Sequence, residues 1–395
     1  MTSIRTATQA SGTSATIART FDFGSGMPDP GTFPVTALAA ASQRAILEVG
    51  ASLVRYPDAR GYAPLRQIPS ARFARNHGVA VPVHDVVITN GSMQGIILAT
   101  QALCRPGDTV VLEEFCYSGT LGVLRQFGAH LAGVSVDEHG MRLDALETVL
   151  DRLEREGRRV AFLYTIATHQ NPTGTIMPVE RRRQLVEICR RRSITIVEDD
   201  CYADVVFEGE MPPAMYSFAE PGTVLYIGSF SKVLGPGVRL GYFIAPEALA
   251  TRLLAYKRDG GTSSLSSAIV AEYLKAELWS HISEVCAAVK AKRDRLFAAV
   301  DRELGGLVER THPMGGLFTW LRLPDDVDTQ AIAQLAKERN VIYGLGRSFD
   351  AADRDIPFLR LAFGFIDEDL IDEGISLLGE CIEGAAPGGR GRTTQ

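Results

Sequence analysis

Short apolar segments alternate with helix-patterned segments between about residues 84 and 245 of this chain. Several apolar segments, such as residues 194–197, are continuous runs rich in β-branched side chains. Runs of that kind are typical of strands covered on both faces. The alternation predicts a three-layer α/β domain with a mostly parallel seven-stranded sheet. The predicted strands are 85–89, 109–113, 131–136, 160–165, 194–198, 224–227 and 240–245, and the predicted helices cover about 92–104, 117–128, 142–156 and 180–192.

The pattern changes after a long helical segment at about residues 263–304. Predicted strands near 307–311, 317–323 and 357–363 then alternate with helices, which favours a smaller α+β domain. The length of 395 residues also exceeds what one compact core usually organises. We therefore predict a flexible N-terminal tail at 1–20, an N-terminal segment at 21–50 that packs with the small domain, a large domain at 51–280, a small domain at 281–383 and a disordered tail at 384–395.

Composition argues against several kinds of partner and location. The formal net charge of −6 disfavours nucleic acid and anionic membranes as partners. Six cysteines without a CxxC spacing favour reduced thiols in a cytoplasm, and seven scattered histidines give no support for a metal site. No apolar run approaches the ~18 residues that a membrane span needs. The first 19 residues lack the apolar core of a signal peptide, and a frayed tail is favoured over a transit peptide.

Lys232 is the first lysine of the chain, and only five others follow it. Because the sequence otherwise uses arginine for positive charge, a lysine next to serines after an apolar run suggests a need for an amine that can lose its proton. A partly buried lysine can become a neutral nucleophile and form a Schiff base, which arginine cannot. The residues alone leave this interpretation beside that of a surface lysine in a codon-biased genome. The other five lysines, in charged stretches with helical patterns, are predicted to be solvated.

Polar or aromatic residues follow several of the predicted parallel strands. Ligands of such sheets bind at the carboxyl ends of the strands. Residues 90–94 form a Gly-Ser turn that opens a helix, where free N–H groups can hold a phosphate, although serine there is also an ordinary N-cap. Tyr117 can stack on a planar ring, although a core tyrosine is the commoner case. Asn171 belongs to an Asn-Pro-x-Gly turn, which is ordinary turn chemistry but also fixes an amide at the sheet edge.

Charged residues follow the last of these strands. Residues 198–200 are three acids in a row, which are costly to desolvate unless they are paired, and a ligand cation is one candidate partner. The next strand leads to Ser229, Ser231 and Lys232, and the turn beyond it carries Arg239. A phosphate cradle, a stacking aromatic, an amide, a carboxylate and a reactive lysine on one sheet edge describe a pyridoxal-phosphate site.

In combination, these motifs give the chain a resemblance to a known family. From about Phe21 to Glu383 it resembles a fold-type I pyridoxal-phosphate-dependent enzyme of the class I/II aminotransferase family, in the branch shared with the aminotransferase-like domains of GntR-type regulators. The motifs are Tyr56…Gly61-Tyr62, Asn90-Gly91-Ser92, Asn171-Pro172-x-Gly174, Asp199-x-x-Tyr202, Ser229-x-Ser231-Lys232 with Arg239, and Leu359-Arg360-Leu361. The 20 residues before Phe21 are too few for the DNA-binding module of those regulators, so a non-enzymatic effector domain is disfavoured.

The resemblance implies a role for each matching residue. Lys232 would bind pyridoxal 5′-phosphate as a Schiff base in the large domain, Asp199 would face the pyridine nitrogen, and Tyr117 would stack on the ring. Arg360 would bind the substrate carboxylate, and Gly26 would let the N-terminal segment approach the substrate closely. The other residues expected to contact the cofactor are Gly91, Ser92, Met93, Asn171 (also near the substrate), Tyr202, Ser229, Ser231 and Arg239, with Tyr56 reaching it from the second subunit of a homodimer.

Departures from the family pattern leave the reaction open. Met93 stands where relatives commonly have glutamine, Pro69 predicts a kink or an early helix end, and residues 260–264 and 344–347 are unusually rich in glycine. The first hypothesis is an aminotransferase acting on an amino acid and a 2-oxo acid. The alternative is a biosynthetic lyase, β/γ-substitution enzyme or cyclase, because the same cofactor supports both kinds of chemistry. Either enzyme is expected to be a cytoplasmic homodimer without a metal, nucleic-acid or membrane partner.

Overall fold

A seven-stranded sheet forms the centre of the protein, whose computed structural model describes residues 19–386. The strands in chain order are β1 (Phe21–Asp22), β2 (Val86–Thr89), β3 (Thr109–Glu113), β4 (His130–Val134), β5 (Val136–Asp137), β6 (Gly140–Met141), β7 (Val160–Thr165), β8 (Ile196–Asp199), β9 (Val224–Ser229), β10 (Gly241–Ile244), β11 (Glu309–Arg310), β12 (Phe318–Arg322), β13 (Val341–Ile342), β14 (Gly344–Leu345) and β15 (Phe358–Ala362). The α-helices are α1 (Val35–Val49), α2 (Ala63–His77), α3 (Ser92–Leu103), α4 (Ser118–Phe127), α5 (Leu143–Arg155), α6 (Val179–Arg191), α7 (Glu247–Leu254), α8 (Ser264–Glu303), α9 (Thr329–Glu338) and α10 (Ile371–Ala385).

The strand order in the large sheet is β2-β10-β9-β8-β7-β3-β4. β10 runs antiparallel to both of its neighbours, and the other neighbouring pairs are parallel. The predicted mostly parallel seven-stranded sheet is therefore confirmed. The strand predicted at 131–136 ends early, because β4 stops at Val134 and Val136 belongs to the separate β5–β6 hairpin.

Both faces of this sheet are covered, which explains the continuous apolar character of its strands. In β3, Val110 packs into one hydrophobic cluster and Val111 into another, because successive strand residues point to opposite faces. Helices α5 and α6 cover the Val111 face through Leu146 and Leu185. Helices α3, α4 and α7 contribute to the cluster on the other face. The result is a three-layer α/β arrangement in which every strand except the antiparallel β10 ends at a common edge.

A second, smaller sheet of order β11-β12-β15-β14 is antiparallel. With α9 and α10 it forms the smaller α+β unit. Helix α8 has 40 residues and contains the predicted domain boundary at 280, so a division at that residue stays a prediction. Helix α10 continues through residues 384 and 385, which were assigned to the disordered tail, because Ile382 is buried near the helix end. Residues 1–18 and 387–395 of the predicted tails lie outside the described part of the chain.

The N-terminal segment divides its packing between the two halves of the protein. β1 pairs in parallel with β13, and the amide of Ala362 donates a 2.7 Å hydrogen bond to the carbonyl oxygen of Phe23. Helix α1 instead packs on the first half of α8, where Ala45 and Val49 cluster with Ala268. Residues between β1 and α1 therefore cross the cleft between the large and small sheets.

Helix α2 continues through Pro69 and ends at His77. Of the two outcomes predicted for Pro69, the early helix end is therefore wrong. Leu65, Pro69 and Phe73 are spaced one turn apart and all are buried. Burial of this apolar stripe offsets the hydrogen bond that a proline inside a helix cannot donate.

One helical stretch of the described residues, Val35–Val54, has the length and composition of a membrane span. Length and composition alone are weak evidence that a helix crosses a membrane. Arg44 lies inside it and pairs with Glu272 on α8 at 2.6 Å. Ala41 and Ala45 on the same helix are fully buried. These contacts attach α1 to the body of the protein. The opposite side of the stretch leaves apolar side chains exposed.

Candidate active site

The carboxyl edge of the large sheet brings together the residues that the motifs predicted. The turn after β2 opens α3 at Ser92, and the segment after β3 carries Tyr117. The segment after β7 carries Asn171, β8 ends at Asp199, and the turn after β9 carries Lys232. In the sheet, β9, β8, β7 and β3 follow one another directly, and only β10 separates β9 from β2. Parallel strands end at the same edge, so these side chains converge.

Asp199 is a buried carboxylate with one oxygen satisfied and one free. Its Oδ2 accepts a 2.6 Å hydrogen bond from the hydroxyl of Tyr164, and Thr120 donates to that hydroxyl at 3.1 Å. Its Oδ1 is buried and has no hydrogen-bond partner among residues 19–386. Burial raises the pKa of Asp199, while the Cys201 thiol and the Tyr164 hydrogen bond act in the opposite direction. A buried acceptor without a partner is rare, and it fits a ring N–H of a ligand.

Lys232 has an amine that is hydrogen-bonded but not paired with an acid in the part of the chain that the structure describes. Its Nζ donates to the carbonyl oxygen of Gly26 at 2.7 Å and lies 5.4 Å from the centre of the Tyr202 ring. Burial lowers the pKa of the Lys232 amine, and the positive charge of Arg360 acts in the same direction. The neutral, nucleophilic form is therefore reached at a lower pH than in an ordinary lysine.

The turn between β2 and α3 has the geometry of an anion-binding loop. Gly91 adopts the left-handed conformation with φ of 78° immediately before the first residue of α3. The N–H groups of the first helical turn have no partner inside the helix. Arg239, with φ of 54°, donates to the carbonyl oxygen of Asn90 at 3.1 Å, and a side chain on Gly91 would meet its guanidinium. A glycine is therefore required where the arginine and the turn approach each other.

Ser229 at the end of β9 and Ser231 just after it extend this group of residues, with β10 between β9 and β2. Both are buried, and the amide of Ser231 donates to the hydroxyl oxygen of Ser229 at 3.0 Å. Met93 is half-buried and offers its backbone N–H in the first turn of α3. A phosphate has the charge and the acceptor oxygens that this set of donors can satisfy.

Arg360 lies on β15 and is 7% exposed. Its guanidinium donates to Asn171 Oδ1 at 3.1 Å and to the carbonyl oxygen of Gly24, and it lies 4.2 Å from the centre of the Phe318 ring. It forms no salt bridge with any residue of the described range, which argues against a structural ion pair. Burial lowers its pKa to about 10. A buried guanidinium facing neutral acceptors is suited to a ligand carboxylate.

The two remaining tyrosines and the Asn171 amide complete the arrangement. Asn171 donates to the Tyr202 hydroxyl at 3.2 Å. Tyr117 is half-buried, and burial followed by the Asp199 charge raises its pKa. Tyr56 is not brought to this site within the described chain, because it is 90% exposed and lies beside Gly260.

Sequence patterns missed two residues next to Asp199. Tyr164 lies inside a predicted strand, and Thr120 lies in a predicted helix. The strand alternation places Tyr164 on the face opposite Leu163 but does not indicate which face meets a ligand. The Cys201 thiol was also missed as a neighbour, and burial together with Asp199 raises its pKa well above the usual range.

The three-layer fold, the half-buried lysine, the carboxylate with one free oxygen and the anion-binding turn together define a fold-type I pyridoxal-phosphate-dependent enzyme. The comparisons with known proteins agree. The family model of class I and II aminotransferases matches residues 18–378. Because that match covers most of the chain, this protein belongs to the class I and II aminotransferase family.

The proteins similar to this chain include aminotransferases and a transcriptional regulator. The chain is 32% identical to aromatic-amino-acid aminotransferase 1 of Thermococcus litoralis over 91% of this chain and 87% of the relative. The structure matches the α-aminoadipate aminotransferase LysN of Thermus thermophilus, complexed with N-(5′-phosphopyridoxyl)-L-leucine, with a TM-score of 0.86, 33% identity and coverage of 93% and 92% of the two chains. An HTH-type transcriptional regulator of Bacillus subtilis is 28% identical over 83% of this chain and 67% of its own. The protein is a pyridoxal-phosphate-dependent aminotransferase that acts on amino acids and 2-oxo acids.

Proposed function

We propose that Lys232 binds the cofactor and moves a proton during transamination. The observation that carries this proposal is its amine, which has a lowered pKa and lies at the same sheet edge as the unpartnered oxygen of Asp199. A neutral amine can attack a carbonyl and later accept the proton of the substrate Cα. When bound, pyridoxal phosphate supplies an electron sink for the negative charge left on that carbon.

Asp199, Asn171, Tyr202 and Tyr117 are proposed to orient the cofactor ring. Asp199 Oδ1 would accept from the protonated pyridine nitrogen, while Tyr164 keeps Oδ2 in place. Asn171 and Tyr202, which already contact each other, would donate to the phenolic oxygen. Tyr117 would stack on the ring. This assignment gives the free acceptor of Asp199 a partner.

The phosphate is proposed to bind the turn that opens α3. Gly91, Ser92 and the N–H of Met93 face it from one side, and Arg239 supplies the positive charge. Ser229 and Ser231 would complete the set from the end of β9. The support for this assignment is the convergence of unpaired N–H groups with a guanidinium at a helix N-terminus.

Arg360 is proposed to bind the substrate carboxylate. Its present acceptors, Asn171 Oδ1 and the Gly24 carbonyl, are neutral. A carboxylate offers two charged oxygens and therefore binds a guanidinium more strongly than either. A side chain on Gly26 would meet the Phe318 ring at 2.7 Å, and the Arg360 guanidinium lies 4.2 Å from the centre of that ring, so Gly26 would lie close to the substrate.

We further propose that two copies of the chain form a homodimer. Val35 and Leu47 on α1 and Val54 in the turn after it are 67%, 78% and 85% exposed, and Tyr56, two residues later, is 90% exposed. Exposed apolar side chains gathered in one region are typical of an interaction surface. A second copy buried there would bring its Tyr56 towards the phosphate site of the first. A cytoplasmic location is proposed from the six free cysteines.

A hybrid dimer tests the shared site. Lys232→Ala and Tyr56→Phe subunits are refolded or co-expressed together, and hybrids are isolated with two different tags. One site of the hybrid contains an intact Lys232 and an intact Tyr56 from the other subunit. Activity above that of either parent dimer supports the proposal, and hybrids no more active than the Tyr56→Phe parent would reject it.

Single-turnover experiments test the reaction assigned to Lys232. The holoenzyme is mixed with a panel of amino acids while the cofactor spectrum and product mass are followed. Conversion to the pyridoxamine form with release of a 2-oxo acid is the expected result. Return of the pyridoxal form together with an eliminated or cyclised product would instead support lyase or cyclase chemistry.

A further inference from the structure

An ion pair between a lysine with a buried side chain and a partly exposed carboxylate lies behind the proposed phosphate-binding turn. The side chain of Lys257 is 1% exposed, and its Nζ lies 2.9 Å from Asp259 Oδ1 and 3.0 Å from Oδ2. The amide of Gly261 also donates to Asp259 Oδ1 at 2.9 Å. This pair belongs to the link between α7 and α8, far in sequence from the turn before α3. Lys257 was predicted to be solvated, and the structure shows the opposite.

Asp259 is bonded directly to the turn. Its Oδ2 accepts from Asn90 Nδ2 and from Gln94 Nε2, each at 2.7 Å. Gln94 in turn accepts from the backbone amide of Asn90 through its Oε1 at 2.8 Å. One carboxylate thus joins the residue before Gly91 to the first turn of α3, and the conformation between them is fixed from both ends.

Asp259 remains ionised throughout the range in which an aminotransferase works. Although partial burial acts in the opposite direction, hydrogen bonds from Gln94 and Lys257 lower its pKa to about 2. A lone carboxylate near a phosphate would repel it, but Lys257 makes the pair electrically neutral. The arrangement therefore holds the turn through charge-assisted bonds without adding net negative charge.

We propose that Asp259 is a positioning residue for the cofactor phosphate, acting through Asn90 and Gln94. Its part is to keep the N–H groups of Ser92 and Met93 and the carbonyl oxygen of Asn90, which holds Arg239, in the orientation that receives the phosphate. The inference rests on the proposed phosphate site and adds residues from a different part of the chain to it.

The test compares the affinities of Asp259→Asn for pyridoxal phosphate and for pyridoxal, which lacks the phosphate. Holoenzyme is stripped of its cofactor, and each compound is titrated back while absorbance is followed. We expect the affinity for pyridoxal phosphate to fall on the order of tenfold, because charge-assisted bonds to the turn are weakened. The affinity for pyridoxal should stay unchanged. Equal losses for both compounds, or no loss, would overturn the inference.

Two further variants make the comparison specific. Gln94→Met removes one donor to Asp259 and keeps the side-chain length, so it should also lower the affinity for pyridoxal phosphate selectively. This variant provides the test if Asp259→Asn does not fold. Asp372→Asn is the matched control, because Asp372 also accepts from two side chains, Arg295 at 2.7 Å and Arg302 at 2.8 Å, but lies in the small domain. Wild-type protein that binds both compounds equally would reject the phosphate site itself and not merely the role of Asp259.

Discussion

The amine nitrogen of Lys232 lies 2.7 Å from the carbonyl oxygen of Gly26, which precedes it by 206 residues. The N-terminal segment therefore covers the amine that the proposed chemistry uses. If Lys232 binds the cofactor, Lys232→Ala should lose the visible absorbance of the holoenzyme and aminotransferase activity together. Absorbance spectra and a coupled transaminase assay measure both.

Lys275→Ala is the control for this variant, since Lys275 is an exposed lysine on α8. It should retain the spectrum and the activity of the wild type. A Lys232→Ala protein that keeps the same absorbance band after dialysis would contradict the assignment of Lys232.

The pH dependence of cofactor attachment should report the lowered pKa of Lys232. Only the neutral amine attacks the carbonyl, so the rate should rise with pH and level off below the ordinary pKa of lysine. The charge of Arg360 contributes to the lowering, so Arg360→Met should raise this pKa and move the rise to higher pH. Stopped-flow absorbance of cofactor-free protein measures the profile. An unshifted profile in Arg360→Met would show that the two charges do not interact.

Arg360→Lys should impair substrate binding and leave the cofactor in place. Lysine keeps the charge but cannot form the two parallel hydrogen bonds of a guanidinium. We expect kcat/KM for amino acids to fall by about 100-fold. Steady-state kinetics and the cofactor spectrum check the two halves of this prediction. Loss of bound cofactor instead would place Arg360 in the cofactor site.

Tyr164→Phe should weaken the interaction between Asp199 and the cofactor ring nitrogen. The change removes the donor to Asp199 Oδ2, which raises the pKa of that carboxyl and makes it a poorer acceptor for a protonated ring. A hydrogen bond to a charged group is worth about 1.5–3 kcal/mol, so kcat should fall by at least about tenfold. The ¹⁵N chemical shift of labelled cofactor measures ring protonation directly. Thr120→Val, which leaves the Tyr164–Asp199 bond in place, should have a smaller effect on both quantities.

The ion pair between Arg72 and Asp204 should matter for stability. The two side chains are 6% and 8% exposed, and Arg72 Nε lies 2.6 Å from Asp204 Oδ1. Asp204→Ala leaves a buried guanidinium without its partner and should cost about 3–5 kcal/mol in the free energy of unfolding. Asp325→Ala removes the partner of Arg322 in an exposed pair and should cost at most about 1 kcal/mol. Urea unfolding compares them, and equal losses would contradict the prediction.

The large sheet was predictable because its strands are buried on both faces. Val110, Val111 and Leu112 are all fully buried, and such a run has few alternatives to a central strand. The residues after the strands were predictable as a group, since parallel strands end at one edge. The strand pattern and the family resemblance therefore predicted most of the residues that the structure brings to this edge.

Contacts between distant segments were not predictable in the same way. Lys257 and Lys292 were expected to be solvated, yet their side chains are 1% and 6% exposed, and Lys292 pairs with Asp29 at 3.0 Å. Arg182, the middle residue of three consecutive arginines, is fully buried and donates to the carbonyl oxygen of Met177. Whether a cation is buried depends on acceptors that the tertiary fold supplies, and local sequence patterns contain no information about those acceptors.

Helix α8 runs for 40 residues from the large sheet to the small domain without a break. At 1.5 Å per residue it is a rod about 60 Å long. Because the backbone hydrogen bonds of α8 are shared by the large and the small domain, unfolding of either domain would extend along the helix into the other. The two domains are therefore expected to unfold as one cooperative unit, with a single calorimetric transition and not two.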